Sequence, residues 1–510
     1  MQINFGLGLN RVRPVHELLM TQDGRVQYSI MLNYIARDGK VKKTPGTEAY
    51  NSSALTNRIP WVHRSYHKRA DDSFVKRTLL FSGGAFYYGD DLTGALTSIV
   101  SGFNTEAIPL SATMQVSGNS IMYVFTGEDE VYKYDGNGSY TWEKTTLNVD
   151  TGKVIVGAVN HLDRFWYWFK NSSSIIYSTT LQPENLTSDS DEIIVGQETD
   201  SVIMALVTGA NETIYLFKNQ SIYQLFGRTP SAFEFRRITD KYGLATKRAV
   251  WPVGSGFIFL NEFDKELYFF GGTESSIIPL TEDAIRLREC LDLTHIHKTC
   301  MTVHKGLFRM AYTHLGDNGA QERELIYPIA EPGPDGLPIW SMLRGTKVLS
   351  YSVWNQQGDD NLLVTGRADT GKLMYHERTN QFDGSNILTQ IRTREIVASE
   401  DKVVRFKGFY VKGHPTGMAG TVTFNYYLNG RTSSPGTDGL AMQGERRVLG
   451  SIKISTQELF NNRIIPLHAS SLGNSISFEL IDASADSILE LYSIAFTAQK
   501  RGKLRNMLVG

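Results

Sequence analysis

Phe165-Trp166-Tyr167-Trp168-Phe169, followed by Lys170-Asn171-Ser172-Ser173-Ser174 and then Ile175-Ile176-Tyr177-Ser178, is the stretch from which the fold can be read. Two short runs of aromatic and β-branched residues flank a polar linker. Such runs fit a pleated, packed surface, and Asn and Ser supply the local side-chain turn that reverses a chain. The segment is therefore a β-hairpin. The same pattern recurs: an apolar strand, a polar turn, then a strand carrying Tyr at or near its end. It returns at Leu79-Leu80-Phe81 with Phe86-Tyr87-Tyr88, at Met122–Phe125 with Val131–Tyr134, and at Ile214–Phe217 with Ile222-Tyr223. Phe257–Leu260 with Leu267–Phe269 and Leu362–Val364 with Leu373–Tyr375 continue it, and Leu307–Tyr312 with Leu325–Tyr327 fits less closely.

The hairpins follow one another at roughly 40–50 residues, the spacing of β-propeller blades. Between residues 60 and 392 this makes about seven units, with six or eight also compatible. A lone hairpin cannot bury both of its faces, and radial stacking solves that for many hairpins at once. An antiparallel barrel or two stacked sandwiches is the alternative arrangement. Helix signals are almost absent; Thr281–Leu291, with Thr281 as its cap, is the best short candidate.

After Ile387 the texture changes. Val403–Val411, Gly420–Leu428, Arg447–Ile454, Ile476–Ile481 and Ile488–Thr497 read as longer strands. Thr421-Val422-Thr423-Phe424-Asn425-Tyr426-Tyr427 alternates cleanly, the mark of a sheet with one wet face. The expected class is thus all-β, a β-propeller followed by a C-terminal antiparallel β-sandwich. The expected parts are an opening segment, 1–59, that lends strands to the propeller or to a neighbour, the propeller, 60–392, the sandwich, 393–499, and a basic tail, 500–510.

The whole 510-residue chain excludes several classes. Lys plus Arg is 52 against 53 for Asp plus Glu, a net charge of -1, so bulk charge does not hold it to nucleic acid or an anionic membrane. No apolar run approaches the ~18–20 residues of a spanning helix, so membrane insertion is not expected. The opening Met-Gln-Ile-Asn-Phe-Gly lacks the basic start and apolar stretch of a secretory signal, which predicts synthesis in a cytoplasm. Without a secretory route, the Asn-x-Ser/Thr sites such as Asn51 carry no meaning. Two cysteines, Cys290 and Cys300, cannot form a disulfide framework.

Four features invite chemistry. Gly366-Arg-Ala-Asp-Thr-Gly371-Lys372 matches the start of a phosphate-binding loop, but Leu373 stands where a Mg²⁺-binding hydroxyl belongs, and a strand follows instead of a helix. Cys290, His295, His297, Cys300 and His304 form the densest group of soft ligands, with no paired spacing to fix a tetrahedral site; blade packing and exposed histidines account for it. Asp135-Gly-Asn-Gly138-Ser-Tyr-Thr-Trp142 is similar to a sialidase aspartate box with altered spacing, and occurs once. Asp90, Asp91, Glu128, Asp129 and Glu130 lie in or beside turns, where solvation explains them, whereas a retaining glycosidase needs two carboxyls at roughly 5–5.5 Å. Trp61-Val-His63-Arg64-Ser-Tyr66-His67-Lys68-Arg69 could stack on nucleic acid, and reads better as the first strand of the first blade. No catalytic, cofactor-binding or metal-binding residue is assigned, no cofactor is expected, and the chain is not expected to be an enzyme.

Three segments in order resemble the propeller proteins of short-tailed bacteriophage tails, the nozzle or packaged-DNA stabilisation class. The first is Val26-Gln-Tyr-Ser-Ile-Met-Leu-Asn33-Tyr followed by Asp38-Gly39-Lys-Val-Lys-Lys43-Thr-Pro45-Gly46. The second runs from Val156-Gly157 through Arg164-Phe-Trp-Tyr167 and Ile175-Ile-Tyr177-Ser178 to Gln182-Pro183-Glu184-Asn185. The third is Ile193–Gly196, then Leu216-Phe217-Lys218-Asn219-Gln-Ser221-Ile222-Tyr223 and Gly227. The resemblance implies a virion structural protein that forms a ring, usually sixfold, at the tail end. Such a ring extends the DNA channel, retains packaged DNA and docks tail adaptor or tube proteins and fibres. It implies transient contact with phage DNA, with the basic tail, Lys500–Asn506, and the Arg/Lys-rich start as interface or lumen elements. The alternative expectation is a glycan-binding or glycan-cleaving propeller used in host recognition.

Overall fold

Each expected hairpin is the middle of a four-stranded antiparallel unit in the computed structural model. The structure describes residues 2–4, 28–37, 40–136, 142–147, 153–186, 192–196, 201–209, 212–331, 336, 338–393, 396–398, 402–417, 421–428, 450–455, 464–467, 472–473, 475–484 and 487–503. Blade 1 runs Trp61–Lys68, Phe74–Ser82, Ala85–Gly89 and Leu96–Ser101 from the axis outward. Blades 2, 3, 4 and 5 start at Leu110, Ile155, Ile203 and Val250 and repeat the same meander. Blade 6 comprises Cys300–His304, Leu307–Tyr312, Arg323–Pro328 and Ser341–Arg344. Blade 7 takes Val348–Trp354, Leu362–Arg367 and Leu373–His376 from this end of the chain, and its fourth strand, Thr47–Ala49, from the other. The fold is a seven-bladed β-propeller joined to a sandwich.

The second strand of a blade is sandwiched between two neighbours, so it reads as continuously apolar. Gly256–Leu260 and Leu307–Tyr312 are buried at every position. Apolar clusters lie between successive blades. One joins Phe81 and Phe86 of blade 1 to Met122 and Val124 of blade 2, and another joins Phe125 to Phe165 and Tyr167 of blade 3. Tyr215 and Phe217 of blade 4 meet Phe257 and Phe270 of blade 5 edge-on, at ring-centroid distances of 5.3–6.1 Å. The inner strands Val348–Trp354 and Trp61–Lys68 then meet and close the circle.

Closure draws on the opening segment. Thr47–Ala49 pairs with His376–Met374, and the Asn51 side chain extends the pairing, donating to Gly371 O at 3.0 Å and accepting from Leu373 N at 2.8 Å. Asn51 is therefore a buried structural amide. Gly46 admits the strand: a Cβ there would stand 2.0 Å from the Gln381 carbonyl oxygen. The Arg64 guanidinium locks the same seam. It lies 4.5 Å over the Trp354 ring and pairs with Asp359 at 3.1 Å and Asp91 at 2.6 Å.

The opening segment also builds the sandwich. Tyr28–Leu32 runs between Ser341–Arg344 of blade 6 and Thr389–Thr393, so one continuous sheet passes from the propeller into Ser475–Asp482, Thr421–Leu428 and Gly450–Ser455. The facing sheet contains Tyr34–Arg37, Lys40–Lys43, Ser487–Lys503 and Lys402–Gly417. Phe409 stacks on Phe424 between the two, at 3.6 Å and 9°, with Phe478 and Phe496 beside them. The sandwich thus takes in more chain than 393–499. Thr389–Thr393 begins before that span, residues 34–43 come from the far end, and Lys500–Lys503 of the expected tail pairs with Lys402–Val404.

The expected helix over Thr281–Leu291 does not form. Thr281 donates to the buried Glu266 carboxylate at 2.6 Å, and Glu266 also accepts from Leu287 N, so the stretch is drawn into turns ending in a short 3₁₀ segment, Leu287–Glu289. Glu266 captures backbone donors that a regular helix would have used otherwise.

Lys43 and Asp482 form a buried ion pair at 3.0 Å, with side chains 1% and 0% exposed, and Lys43 also donates to Ser484 O. Removing one partner strands a buried charge, whereas replacing both removes the need for compensation. Lys43→Met or Asp482→Asn alone is expected to lower unfolding free energy by about 3–5 kcal/mol. The double replacement is expected to recover most of it, as read by urea denaturation of all four proteins.

Candidate functional site

Lys247 and Arg248 stand at the start of blade 5, in a tight turn where Ala249 N donates to Thr246 O. Their partners are on the other side of the ring. The Arg248 guanidinium donates to Pro60 O and Leu349 O, both at 2.9 Å, and to Lys298 O at 3.0 Å. Those carbonyls lie where the chain enters blades 1, 7 and 6. Lys247 Nζ donates to Ile108 O at 2.8 Å, at the approach to blade 2. Side chains from blade 5 that reach blades 1, 2, 6 and 7 must cross the propeller axis. The two cations occupy the axial mouth at this face and tie five blades together there.

Among the described residues neither forms an ion pair with a carboxylate. Burial pulls the Lys247 amine down to about 8, with Arg248 and Lys170 adding to the shift and Glu128 opposing it. Burial likewise lowers the Arg248 pKa, and Arg58 adds to the effect. Lys298 donates to Gly319 O at 3.0 Å. The nearby carboxylates are engaged elsewhere: Glu106 pairs with Arg58, and Glu128 with Lys170. A cavity of about 290 Å³ opens beside Lys247, where Glu106, Glu128, Lys170 and His297 share the wall with Ile108, Val156, Val202 and Met204.

A second polar cluster is buried between blades 6 and 7. Arg309 pairs with Glu377 at 3.4 Å and lies 3.8 Å from Glu324, which accepts from Tyr351 at 2.6 Å. His304 bonds Asn361 O at 2.9 Å, and His376 bonds Thr365 Oγ1 at 3.0 Å. Burial lowers both imidazoles, His376 to about 3.

The residues singled out by chemistry are scattered. Cys300 begins the inner strand of blade 6 and Cys290 is buried in the preceding turns; His295 is held by Asp292 at 2.8 Å, while His297 faces the axial cavity. Among the described residues no three His, Cys, Asp or Glu side chains gather as metal ligands would. Gly366 and Arg367 end one strand of blade 7, residues 368–372 turn to the next, and Lys372 pairs with Asp383. Asp90 accepts from Leu92 N, Asp129 accepts from Asn104 N, and Glu130 pairs with Lys144. Asp91 belongs to the Arg64 seam. Asp135, Gly136 and Trp142 are described, but 137–141 of that motif lie outside the described residues, as do 5–27 and 504–510.

Trp61–Lys68 is the first inner strand, as expected, and its cations are committed. Arg64 is ion-paired, His67 bonds Ser120 O and Ser65 Oγ, and His63 stacks on Trp61 at 5.7 Å. Lys68 pairs with Asp72 at 2.7 Å.

Known structures resemble this chain in fold. The β-propeller domain of Cps50 (Swd1) from Myceliophteria thermophila aligns at 9% identity over 65% of this chain and 100% of that one, with TM-score 0.41. A chain of the mitotic checkpoint complex aligns at 11% identity over 65% and 92%, TM-score 0.41. A chain from the complex of BBS1N with ARL6DN aligns at 10% identity over 66% and 98%, TM-score 0.39. The chain matches no protein-family profile and no curated protein.

Sequence reasoning passed over Lys247-Arg248. Nothing near them in the sequence marks them, because their partners are more than 50 residues away in most cases; the one signal is a pair of cations directly before an inner strand. Arg248→Met keeps the aliphatic stem and removes the donors. Hydrogen bonds to charged groups are worth about 1.5–3 kcal/mol each but do not add fully, so a loss of about 3 kcal/mol is expected in chemical denaturation.

His304 and His376 set a pH dependence. The unfolded chain protonates them near 6.5, while folded His376 resists until about 3. The unfolded state therefore binds more protons below 6.5, and stability falls as the pH drops from there toward 3. Urea midpoints measured from pH 7.5 to 4.5 should decline, and His376→Asn should flatten the decline.

Proposed function

We propose that the chain is a structural virion protein of a tailed bacteriophage. In this reading it forms a homo-oligomeric ring at the tail end that extends the DNA channel, retains packaged DNA and docks neighbouring tail proteins or fibres. The geometric observation that carries the assembly part is the continuous sheet from blade 6 through Tyr28–Leu32 into the sandwich. A heterologous ring contact joins one patch of a subunit to a different patch of the next, and this ladder joins propeller and sandwich within one subunit. The virion context rests on the ordered sequence motifs, and several of those residues sit at joints. Asn33 accepts from Arg344 N at 2.7 Å and donates to Leu388 O at 2.8 Å, Lys43 pairs with Asp482, and Gly46 seats the closing strand.

The axis of the propeller is occupied by Lys247 and Arg248. In this reading DNA therefore passes through the centre of the ring of subunits and never along a propeller axis. Synthesis occurs in the host cytoplasm and the mature location is the tail. The chain should appear by mass spectrometry in purified particles, and the isolated protein, with its tail partners, should give rings in negative stain. A monomer absent from particles would rule the reading out.

A further inference from the structure

We propose that one sheet of the sandwich carries a surface for the phosphate backbone of duplex DNA, built on Lys40–Lys43, Lys402–Gly417 and Ser487–Lys503. These three strands lie side by side. The first carries three Lys or Arg residues, the second four and the third three, and Glu490 is the one carboxylate among them. The chain as a whole is balanced, with 52 basic and 53 acidic residues, so this concentration is local. The opposite sheet does not share it: Thr421–Leu428, Gly450–Ser455 and Ser475–Asp482 hold Lys453 against Glu479 and Asp482.

Alternation along the strands decides which cations face outward. Val404, Phe406, Phe409 and Val411 are at most 1% exposed and pack into the sandwich, while Arg405 is half-buried and Lys407 and Lys412 are exposed. On the neighbouring strand Lys42 is exposed and Lys43 turns inward to Asp482. Glu490 pairs with Lys40 at 3.0 Å. Among the described residues Arg405, Lys407 and Lys412 form no ion pair. At the far end of the ladder the backbone register sets Lys402 opposite Lys503 and Val403 opposite Arg501. Like charges at opposed positions destabilise a sheet, and a polyanion laid along the strands offsets that repulsion.

The form of the patch selects the partner. Residues 402–412 extend about 30 Å, close to one turn of duplex. Among the described residues none of the exposed large apolar side chains lies on these strands. A membrane-binding face needs such side chains to insert, and a protein interface keeps charge out of its centre. A line of cations on a sheet fits a continuous row of phosphates instead. The choice of duplex DNA rests on the virion reading, in which packaged DNA is the polyanion the subunit meets.

The test is fluorescence anisotropy of a labelled mixed-sequence duplex of about 30 base pairs, titrated with the full chain between about 50 and 200 mM salt. Saturable binding is expected, weakening with salt along a slope of about −0.9 for each phosphate neutralised. Arg405→Gln combined with Lys407→Gln should reduce that slope by about 2 and weaken binding about tenfold or more. Lys42→Gln combined with Lys412→Gln should act in the same direction, and it serves if the first pair does not fold. Arg236→Gln combined with Lys241→Gln, both exposed at blade 4, should leave binding unchanged. Polyglutamate that displaces the duplex at equal charge concentration, tighter binding to phosphatidylserine vesicles, or a salt slope unmoved by both pairs on the face would overturn the proposal. The virion reading fails separately: a chain absent from particles that binds duplex through these residues overturns that reading alone, and a particle component whose binding ignores them overturns this one alone.

Discussion

A ring of sheets has to find a last strand, and this chain finds it at its own far end. Three strands of blade 7 follow blade 6 in sequence, and without Thr47–Ala49 the Leu373–His376 edge would stand open. An unpaired edge costs hydrogen bonds and invites pairing with other chains. Bringing residues 47–49 to residues 374–376 closes a loop of most of the chain, yet loop entropy grows only slowly with length. Seven stacked blades held between those two points supply far more than that cost. The Arg64 seam and the Asn51 side chain reinforce the same junction from within.

The same opening segment couples the propeller to the sandwich. Residues 28–43 lie in both of its sheets, and Lys43 buries its charge against Asp482. Propeller closure and sandwich formation thus depend on one stretch of chain of about 25 residues. An extended strand can serve both because its two edges are independent: Tyr28–Leu32 offers one to blade 6 and the other to Thr389–Thr393.

At the axis the requirement is different. Inner strands converge with their first carbonyls pointing inward, and those acceptors need donors. Lys247 and Arg248 supply them from a single blade. Arginine suits the task because its planar fork reaches three carbonyls at once. Ion pairs share the same mouth: Glu106 with Arg58 and Glu128 with Lys170.

The hairpins, their approximate number and the change of texture after Ile387 are written locally in the chain. Those depend on local patterns: period-two alternation, turn residues, and continuous apolar runs such as Phe257–Leu260 that only a doubly covered strand tolerates. Long-range pairing decided which strand completes blade 7, that residues 28–43 join the sandwich, and that two cations reach across the axis. It also decided that Thr281–Leu291 is not a helix, since Glu266 takes its donors. Each of these rests on a contact between residues far apart in sequence or on a single buried charge. Local propensity carries no trace of such partners, because a strand edge, a carbonyl or a carboxylate looks the same in sequence whatever it will meet.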